Sequence, residues 1–475
     1  MRPIKIEEIV TAVSGRLMWG DPQAAVDHVV IDSRQADEGA LFVPIIGERV
    51  DAHRFIPDVL EQGAACTFSS QDSVTGTKGA CIYVSDTKKA LQDLAAWYRS
   101  GFDIPVIGIT GSVGKTTTKE MIAAVLESKY RTVKTLGNLN SQIGVALMMF
   151  HLEEETEVAV FEMGISMPGE MDRLVEIARP QMAVMTNIGV SHIGNLGSRE
   201  NICREKGKII KKFQEEGILY VCADNGLKDF SAANIPYEVC EGNCRTIYYG
   251  IEGDWEYTAQ KIQTTAEGQT FDFVYPDGRE SFSLAVMGAH NVNNAIVALA
   301  IGHSLGVSLQ DAKKALADYR PIAMRGVVKE TRGAHLIDDT YNASPDSIKS
   351  NLKALFDHSQ ADRHIAVLGD VLELGERSYE LHEGIGHFII EEAKKGNALS
   401  VLVTVGTQTR AIHESVQKFC ATQTKEEIDI ECIHCDETAQ ATQILRENMR
   451  QGDWILIKGS RGMRMDKIVE DLTKE

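Results

Sequence analysis

The stretch from Val106 to Glu120, which reads VIGITGSVGKTTTKE, places the tightest constraint on how this chain can fold. An apolar run leads into a glycine-rich turn, after which Lys115 and three threonines open an amphipathic segment. Gly111 and Gly114 permit a tight turn that brings backbone N–H groups close to phosphate oxygens, at the positive end of the following helix. Lys115 can neutralise phosphate charge, and Thr116 can ligate Mg²⁺. The pattern is a P-loop shortened by one residue between its glycines, and it predicts a nucleoside triphosphate site.

Length and composition narrow the kind of protein that carries this loop. A chain of 475 residues is too long for a single hydrophobic core, so two to four domains are expected. The formal net charge of −19 argues against nucleic-acid binding, which needs a basic face. Apart from one βα unit, no apolar run approaches the roughly 20 residues that insert into a membrane. Nine scattered cysteines indicate a reducing cytoplasm, and Cys432 and Cys435 are expected to be packing residues.

Three segments differ in the pattern of their apolar runs. Residues 1–103 mix short strands and helices in no regular order, whereas residues 104–320 alternate strand-like and helical runs. That alternation indicates a mostly parallel sheet wrapped by helices, with a β-rich part around a Pro-Asp-Gly turn. Residues 321–475 repeat the alternation and fit a smaller Rossmann-like domain. The predicted fold is therefore α/β with three domains: N-terminal mixed α/β, central ATPase-type and C-terminal Rossmann-like.

Polar residues stand where the predicted central strands end, which is where open α/β sheets collect ligands. Glu162 lies at the end of VAVFEMG, Asn187 at the end of MAVMTNIG, and His192 in the following loop. Beside Thr116, the carboxylate and the imidazole could hold Mg²⁺, a hard ion that also keeps water and phosphate oxygens. Taken alone, Glu162 could form an ordinary ion pair at a strand end, and His192 could be an ordinary loop histidine. The nearby P-loop favours the metal site over both alternatives.

Two helical segments carry further candidates. Lys206 lies on a helix predicted to begin at Ser198, and composition alone places this lysine on a solvated face. Asn291 and Asn294 are three residues apart after a Gly-Ala turn, so they share one helical face. Their amides could donate to and accept from a purine edge. Helix capping and a polar face explain the same spacing equally well.

The motifs along essentially the whole chain resemble, in order and length, those of the Mur ligase family. They are DSRQADEGALFVPIIGERVDAHRFI at 32–56, TGSVGKTTTKEMI at 110–122, TLGNLNSQIGVAL at 135–147, FEMGISMPGEM at 161–171, TNIGVSHIGNLGSRENICREKGKII at 186–210, GAHNVNNAIVAL at 288–299, IDDTYNASPDS at 337–347, VLGDVLELGERSYELH at 367–382 and IKGSRGM at 457–463. The resemblance implies a UDP-substrate domain (1–103), an ATP-binding domain (104–320) and a ligase domain (321–475). It is strongest to the member that joins D-alanyl-D-alanine to UDP-N-acetylmuramoyl-tripeptide in cytoplasmic peptidoglycan precursor synthesis.

The resemblance also implies which residues bind the nucleotide and metal. ATP would contact the P-loop residues Gly111, Ser112, Val113, Gly114, Lys115, Thr116 and Thr117. Asn291 and Asn294 would lie near the adenine. Arg325 and Asp339 would close on the triphosphate and ribose. Mg²⁺, as two ions, would be held by Thr116, Glu162, His192 and a carbamylated Lys206. The catalytic residues would be Lys115, Glu162, His192 and Lys206.

The substrates would be bound by residues from all three domains. The residues near the uridine diphosphate would be Ser33, Arg34, Gly47 and Glu48. Asn138 and Asn140 would face the muramoyl-peptide. The incoming dipeptide would be bound by Asn342, Lys458, Ser460 and Arg461. The third residue of the tripeptide can be lysine or diaminopimelate, and the protein is expected to be a monomer.

Some positions depart from the family's commoner pattern. Val113 replaces a polar P-loop residue, Ser141-Gln142 replaces two asparagines, MRGVV at 324–328 replaces an MRLE-like run, and Ser344 stands where asparagine is frequent. None of these positions is expected to supply charge to phosphates or metal, so activity is expected and peptide specificity is open.

Three alternatives remain at this point. A sister ligase adding one amino acid would carry a D-N-P-R stretch, where this chain has YNASP at 341–345. Folylpolyglutamate synthetase shares the ATPase core but lacks the N-terminal motif. A nucleotide-gated scaffold without catalysis would not need Lys115, Glu162, His192 and Lys206.

Overall fold

The computed structural model describes residues 1–474 except 48, 77, 215, 252, 266–267, 359–360 and 424–427. Three main sheets, of five, nine and six strands, follow one another along the chain. They confirm the predicted three-domain α/β fold. The domain boundaries at 103/104 and 320/321 stay predictions, and both fall between regular elements.

The N-terminal sheet is mixed. Its elements are β1 (Ile4–Lys5), α1 (Ile6–Ala12), β2 (Arg16–Trp19), β3 (Ala25–Val26), β4 (His28–Val30), β5 (Ala40–Phe42), α2 (Ile56–Glu61), β6 (Cys66–Ser69), β7 (Ala80–Tyr83) and α3 (Thr87–Arg99). The strand order is β2-β7-β6-β5-β4, parallel except for β2, and β1 pairs separately with β3.

The central sheet contains the P-loop strand. Its elements are β8 (Val106–Thr110), α4 (Lys115–Glu127), β9 (Thr132–Lys134), α5 (Gln142–Met149), β10 (Val158–Glu162), α6 (Glu170–Ala178), β11 (Met182–Met185), α7 (Ile193–Leu196), α8 (Arg199–Gly207), β12 (Glu216–Cys222), α9 (Leu227–Asn234), β13 (Asn243–Gly250), β14 (Tyr257–Thr265), β15 (Gly268–Tyr275), β16 (Gly278–Leu284), α10 (Ala289–Ser304) and α11 (Leu309–Asp318). The strand order is β16-β15-β14-β13-β12-β11-β8-β10-β9.

Neighbouring strands from β9 to β14 run parallel, as predicted, while β14, β15 and β16 form an antiparallel extension. The Pro-Asp-Gly turn predicted between strands is confirmed, since Tyr275 pairs with Gly278 in a tight hairpin. All five residues of β8 are buried between β10 and β11. The carboxyl ends of these three strands therefore meet at one edge, which is where Glu162 and the P-loop lie.

The C-terminal sheet repeats the parallel pattern with one antiparallel edge. Its elements are β17 (Val327–Thr331), β18 (Ala334–Asp339), α12 (Pro345–Phe356), β19 (Arg363–Gly369), α13 (Ser378–Lys394), β20 (Val401–Val405), α14 (Arg410–Cys420), β21 (Glu431–Cys435), α15 (Thr438–Asn448), β22 (Asp453–Lys458) and α16 (Asp466–Thr473). The order is β17-β18-β22-β19-β20-β21, and only β17 runs antiparallel to its neighbour.

Two smaller expectations can be compared with this fold. None of the helices in the described part of the chain has the length and apolar character needed to span a bilayer. Cys435 is buried and Cys432 half-buried on β21, and burial raises the pKa of the Cys432 thiol to about 12. A thiol held protonated in this way suits a packing residue better than a metal ligand.

Candidate active site

The P-loop adopts a conformation that only glycine accommodates easily at two positions. Gly111 has φ +145° and Gly114 has φ +85°, and a Cβ on Gly111 would lie 2.0 Å from Thr186 Oγ1. Asn187 holds the loop from the end of β11: its backbone carbonyl accepts the Ser112 N–H (3.0 Å) and its side-chain oxygen accepts the Val113 N–H (2.7 Å). The neighbouring strand therefore presets the loop before any phosphate binds.

Gly111→Ala is expected to lower the free energy of unfolding by about 1–3 kcal/mol or more, because both the positive φ and the contact with Thr186 must be relieved. The matched control is Gly137→Ala, where φ is +51° and no heavy atom lies within 4 Å of the added Cβ. This control is expected to show only the backbone cost of about 1–2 kcal/mol. Urea denaturation of both variants measures the difference, and an equal loss in the two would contradict the contact with Thr186.

Lys115 bends back over its own loop. Its Nζ donates to the Gly111 carbonyl at 2.8 Å and lies 3.5 Å from the Ser112 carbonyl. Burial lowers the pKa of Lys115, and the nearby Glu162 carboxylate opposes that shift. The amine is thus placed at the loop where a phosphate would lie.

A carboxylate, a hydroxyl and a guanidinium converge beside the loop. Glu162, only 2% exposed, accepts from Thr116 Oγ1 at 2.9 Å with one oxygen and from the Asn140 amide at 2.7 Å with the other. Arg325, which belongs to the C-terminal segment, donates to Thr116 Oγ1 at 3.1 Å and stacks over the Tyr341 ring at 3.9 Å. The pairing of Thr116 with Glu162 offers the oxygen ligands that Mg²⁺ prefers.

The oxygen atoms of Thr116 and Glu162 suit Mg²⁺ better than they suit a metal ion whose ligands all come from the protein. Among the described residues, no group of three or more histidines, cysteines or carboxylates is arranged to hold an ion. Mg²⁺ commonly binds through one or two carboxylates together with water and substrate phosphates. Thr116 and Glu162 fit that requirement.

His192 and Lys206 lie close to this group. His192 has φ +60°, and its Nδ1 lies 2.8 Å from a carboxylate oxygen of Glu373. Burial lowers the pKa of the imidazole, and the Lys206 charge lowers it further. A neutral imidazole of this kind can ligate a metal.

Lys206 corrects the expectation from composition. Its helix, α8, is predicted to begin at Ser198 and begins at Arg199, with Ser198 as the capping residue, but the lysine is 1% exposed. The solvated-face interpretation is therefore wrong. Burial lowers the pKa of Lys206 well below its ordinary value, and the charge of Lys115 acts in the same direction while Glu162 opposes it. The helix turns this lysine inward, toward the P-loop lysine and the strand-end carboxylate.

The asparagine pair on α10 lines the cleft but is already hydrogen-bonded. Asn294 Oδ1 accepts from the Thr118 hydroxyl at 2.9 Å, and its amide donates to Asn291 Oδ1 at 3.2 Å. The Asn291 amide donates to the Met287 carbonyl at 2.7 Å. These contacts tie α10 to α4 beneath the P-loop, and contact with a purine stays a prediction.

The C-terminal domain contributes a buried ion pair at its own strand ends. Lys458, 2% exposed at the end of β22, donates to Asp339 at 2.5 Å and to the Asn342 carbonyl at 3.0 Å. Asn351 also donates to Asp339. Ser460 accepts the Leu372 N–H at 2.9 Å. Lys458 is therefore occupied in holding two strand ends and the following loop together.

Substrate residues are predicted in all three domains, and the structure brings only some of them together. One cleft of about 840 Å³ is lined by Asn138 and Asn140 together with the nucleotide and C-terminal candidates. In the described part of the chain, no residue of the segment 1–103 lines it. Ser33, Arg34 and Gly47 lie away from this cleft on the N-terminal domain, and Glu48 lies outside the described residues.

Several cleft residues escaped the sequence argument. His290 lies beside Asp339 and Lys458, and burial lowers its pKa to about 4. Asp346 and Glu373 reach from the C-terminal domain to the loop that carries His192. Asp346 and Glu373 lie within the motifs given above, but the residues that they contact are 156 and 181 positions away along the chain. The local spacing of residues does not predict contacts over such separations.

Comparison with protein families defines the class. Family models match residues 109–302 (Mur ligase middle domain), 324–461 (Mur ligase, glutamate ligase domain) and 25–99 (Mur ligase family, catalytic domain). A curated relative from Bacillus subtilis (strain 168) is 36% identical over 470 residues, covering 98% of each chain. The chain belongs to the Mur ligase family, as the motifs predicted.

Relatives within the family are more specific. The Bacillus subtilis protein is a UDP-N-acetylmuramoyl-tripeptide--D-alanyl-D-alanine ligase. A crystal structure of MurF from Acinetobacter baumannii is 29% identical, with TM-score 0.87 and 100% coverage of both chains. MurF from Thermotoga maritima in complex with ADP is 28% identical, with TM-score 0.81, covering 95% of this chain and 98% of that chain. These similarities confirm the resemblance to MurF within the family.

Proposed function

We propose that this protein is the ATP-dependent ligase that joins D-alanyl-D-alanine to UDP-N-acetylmuramoyl-tripeptide in peptidoglycan precursor synthesis. The observation that carries the proposal is the convergence of Lys115, Thr116 and Glu162 with Arg325 of another domain in one cleft. Full-length similarity to ligases of that name supports the choice of substrates.

The first chemical step transfers a phosphoryl group to the tripeptide. Its terminal carboxylate attacks the γ-phosphorus of ATP, ADP leaves, and an acyl phosphate forms. Lys115 and Arg325 lie where they can stabilise the charge that spreads over the phosphoryl oxygens. Mg²⁺, held by Thr116, Glu162 and His192, would supply further charge neutralisation at the phosphates.

The second step forms the amide. The amine of D-alanyl-D-alanine attacks the acyl carbonyl, a tetrahedral intermediate collapses, and inorganic phosphate leaves. Positioning of the two reactants supplies much of the rate enhancement. Because an acyl phosphate hydrolyses readily, water must be excluded, and the contact of Arg325 with Thr116 supports a role for the C-terminal domain in covering the site.

The remaining assignments belong to the same proposal. The segment 1–103 binds the UDP part through Ser33, Arg34, Gly47 and Glu48, and Asn138 and Asn140 face the muramoyl-peptide. The dipeptide site is formed by Asn342, Lys458, Ser460 and Arg461. The P-loop, Asn291, Asn294, Arg325 and Asp339 contact ATP, and a carbamylated Lys206 would help to hold a second Mg²⁺. The protein acts as a monomer in the cytoplasm, a setting supported by cysteines that form no disulfide in the described part of the chain.

A direct assay decides between this function and the alternatives. The purified protein is incubated with ATP, UDP-N-acetylmuramoyl-tripeptide and D-alanyl-D-alanine, and ADP and the product mass are recorded. A ligase of this kind gives ADP and a UDP-pentapeptide in equal amounts. No product with the dipeptide, but ADP and product when a single amino acid is supplied in its place, would identify a sister ligase, and nucleotide binding without ADP release would identify a scaffold.

The stepwise mechanism predicts a trappable intermediate. With ATP and the UDP-tripeptide but no dipeptide, hydroxylamine or borohydride is expected to trap an acyl phosphate. Positional isotope exchange of the ATP β,γ-bridging oxygen is expected to require the UDP-tripeptide. Absence of both signals in an enzyme preparation that turns over rapidly with all three substrates would contradict a stepwise reaction.

A further inference from the structure

Residues 189–194, which comprise the loop that carries His192 and the first two residues of α7, contact the C-terminal domain at three places. The Asp346 carboxylate accepts the Val190 N–H at 3.0 Å. A carboxylate oxygen of Glu373 lies 2.8 Å from His192 Nδ1. At the end of the loop, a Cβ on Gly194 would lie 3.1 Å from the backbone nitrogen of Gly375. We refer to residues 189–194 as the docking loop.

The three contacts come from two separate parts of the C-terminal domain. Asp346 lies in the first turn of α12, and a Cβ on Gly189 would lie 2.0 Å from its carboxylate. Glu373 and Gly375 lie in the connection between β19 and α13. Both ends of the docking loop are therefore shaped to accept this domain, because side chains larger than glycine would hold the two surfaces apart.

The backbone at the central contact is unfavourable by itself. His192 has φ +60° and Glu373 has φ +64°, so both partners adopt the left-handed conformation. Such a conformation is unfavourable in a residue other than glycine and persists where surrounding contacts hold it. Each of the two strained residues faces the other domain, so docking holds both in place.

The contact of Glu373 with the neutral imidazole is better suited to orientation than to stability. Glu373 is 63% exposed at its side chain, and exposed pairs contribute little to folding. A partner on one ring nitrogen does, however, fix the orientation of an imidazole and leaves the other nitrogen for a ligand. Here Nδ1 lies 2.8 Å from a carboxylate oxygen of Glu373 in the C-terminal domain, and His192 lines the nucleotide cleft.

We propose that Asp346 and Glu373 are positioning residues, which fix the docking loop and thereby turn Nε2 of His192 toward the triphosphate site when the C-terminal domain docks. This inference rests on the proposed function. The orientation of His192 then depends on the same domain that brings Arg325 to the P-loop. Domain docking then completes the site at two points, the hydroxyl of Thr116 and the imidazole of His192.

Kinetics of the full-length enzyme test the role of Glu373. Glu373→Ala is expected to lower kcat by about 10- to 100-fold, with KM for D-alanyl-D-alanine nearly unchanged. Glu373→Gln keeps a carbonyl acceptor and is expected to retain more activity. The matched control is Glu376→Ala, an exposed carboxylate in the next turn, which is expected to leave kcat unchanged. In a His192→Ala background, Glu373→Ala is expected to cause little further loss.

Hydrogen exchange gives a readout that does not depend on catalysis. Backbone amides of the peptide spanning 188–197 are expected to exchange faster in Asp346→Ala and Glu373→Ala than in the parent enzyme or Glu376→Ala. Equal exchange in all four proteins would overturn the proposal, as would the same fold-loss from Glu373→Ala with and without His192. If the parent enzyme fails to ligate, the proposed function fails, while the exchange result still tests the contacts of the docking loop.

Discussion

Lys115→Ala is expected to reduce kcat by about a hundredfold or more while leaving the fold intact. The lysine amine lies at the loop that would hold the transferred phosphoryl group, and loss of one such donor commonly costs this much. Within the described part of the chain, the hydrogen bonds of its Nζ go to the carbonyls of Gly111 and Ser112, so its removal is expected to leave the fold in place. Steady-state ligation kinetics, with thermal denaturation to verify folding, measure the effect.

Lys129→Ala is the matched control for this substitution. Lys129 is exposed just beyond the other end of α4 and donates to the carbonyls of Leu305 and Gly306. Its removal is expected to leave kcat within about twofold. The role of Lys115 would be wrong if Lys115→Ala kept more than about a tenth of the parent kcat, a loss below about 1.4 kcal/mol.

Lys206→Ala is expected to lose most activity, and small carboxylates are expected to restore part of it. A charged ammonium beside Mg²⁺ would repel the ion, whereas a neutral amine can add to CO₂, release a proton and become a carbamate. Burial favours the neutral amine, since it lowers the pKa of Lys206 well below its ordinary value. Millimolar formate or acetate can occupy the vacated space and replace the carbamate oxygens. Lys206→Glu, which supplies a carboxylate on a shorter stem, is expected to retain some activity.

A spectroscopic measurement separates this role from a structural one. Parent enzyme equilibrated with ¹³C-labelled bicarbonate is expected to show a carbamate carbon signal that Lys206→Ala lacks. The control is Lys211→Ala, a lysine that follows the same helix and pairs with Asp172 at 2.7 Å. It is expected to keep both the signal and the activity. Wild-type rates in Lys206→Ala, or no carbamate signal in the parent enzyme, would remove Lys206 from the metal site.

The central fold and much of the cleft could be predicted from sequence because their signals are local. The P-loop occupies consecutive residues, and glycine spacing, Lys115 and the following helix all act within about ten positions. Strand-end residues such as Glu162 were predictable because parallel strands share one ligand-binding edge. Motif order along the chain then identified the family.

Lys206 shows where local reasoning fails. Charged neighbours on α8 indicate a solvated face, yet the residue is buried. Whether a helix turns a given side chain inward depends on what packs against it, and those elements lie far along the chain. The same reason explains why Asn294 supports α4 through Thr118 in addition to lining the cleft.

The sequence by itself determined the α/β class, the division into three segments, the P-loop and the family. Each of these depends on short-range periodicity or on motifs of consecutive residues. Tertiary structure decided which of these residues meet: Arg325 with Thr116, Glu373 with His192, and Asp346 with the backbone of Val190. These contacts join residues more than 150 positions apart, and their distances depend on how one domain docks on another. Docking is governed by the shape and charge of whole surfaces, which no local pattern encodes.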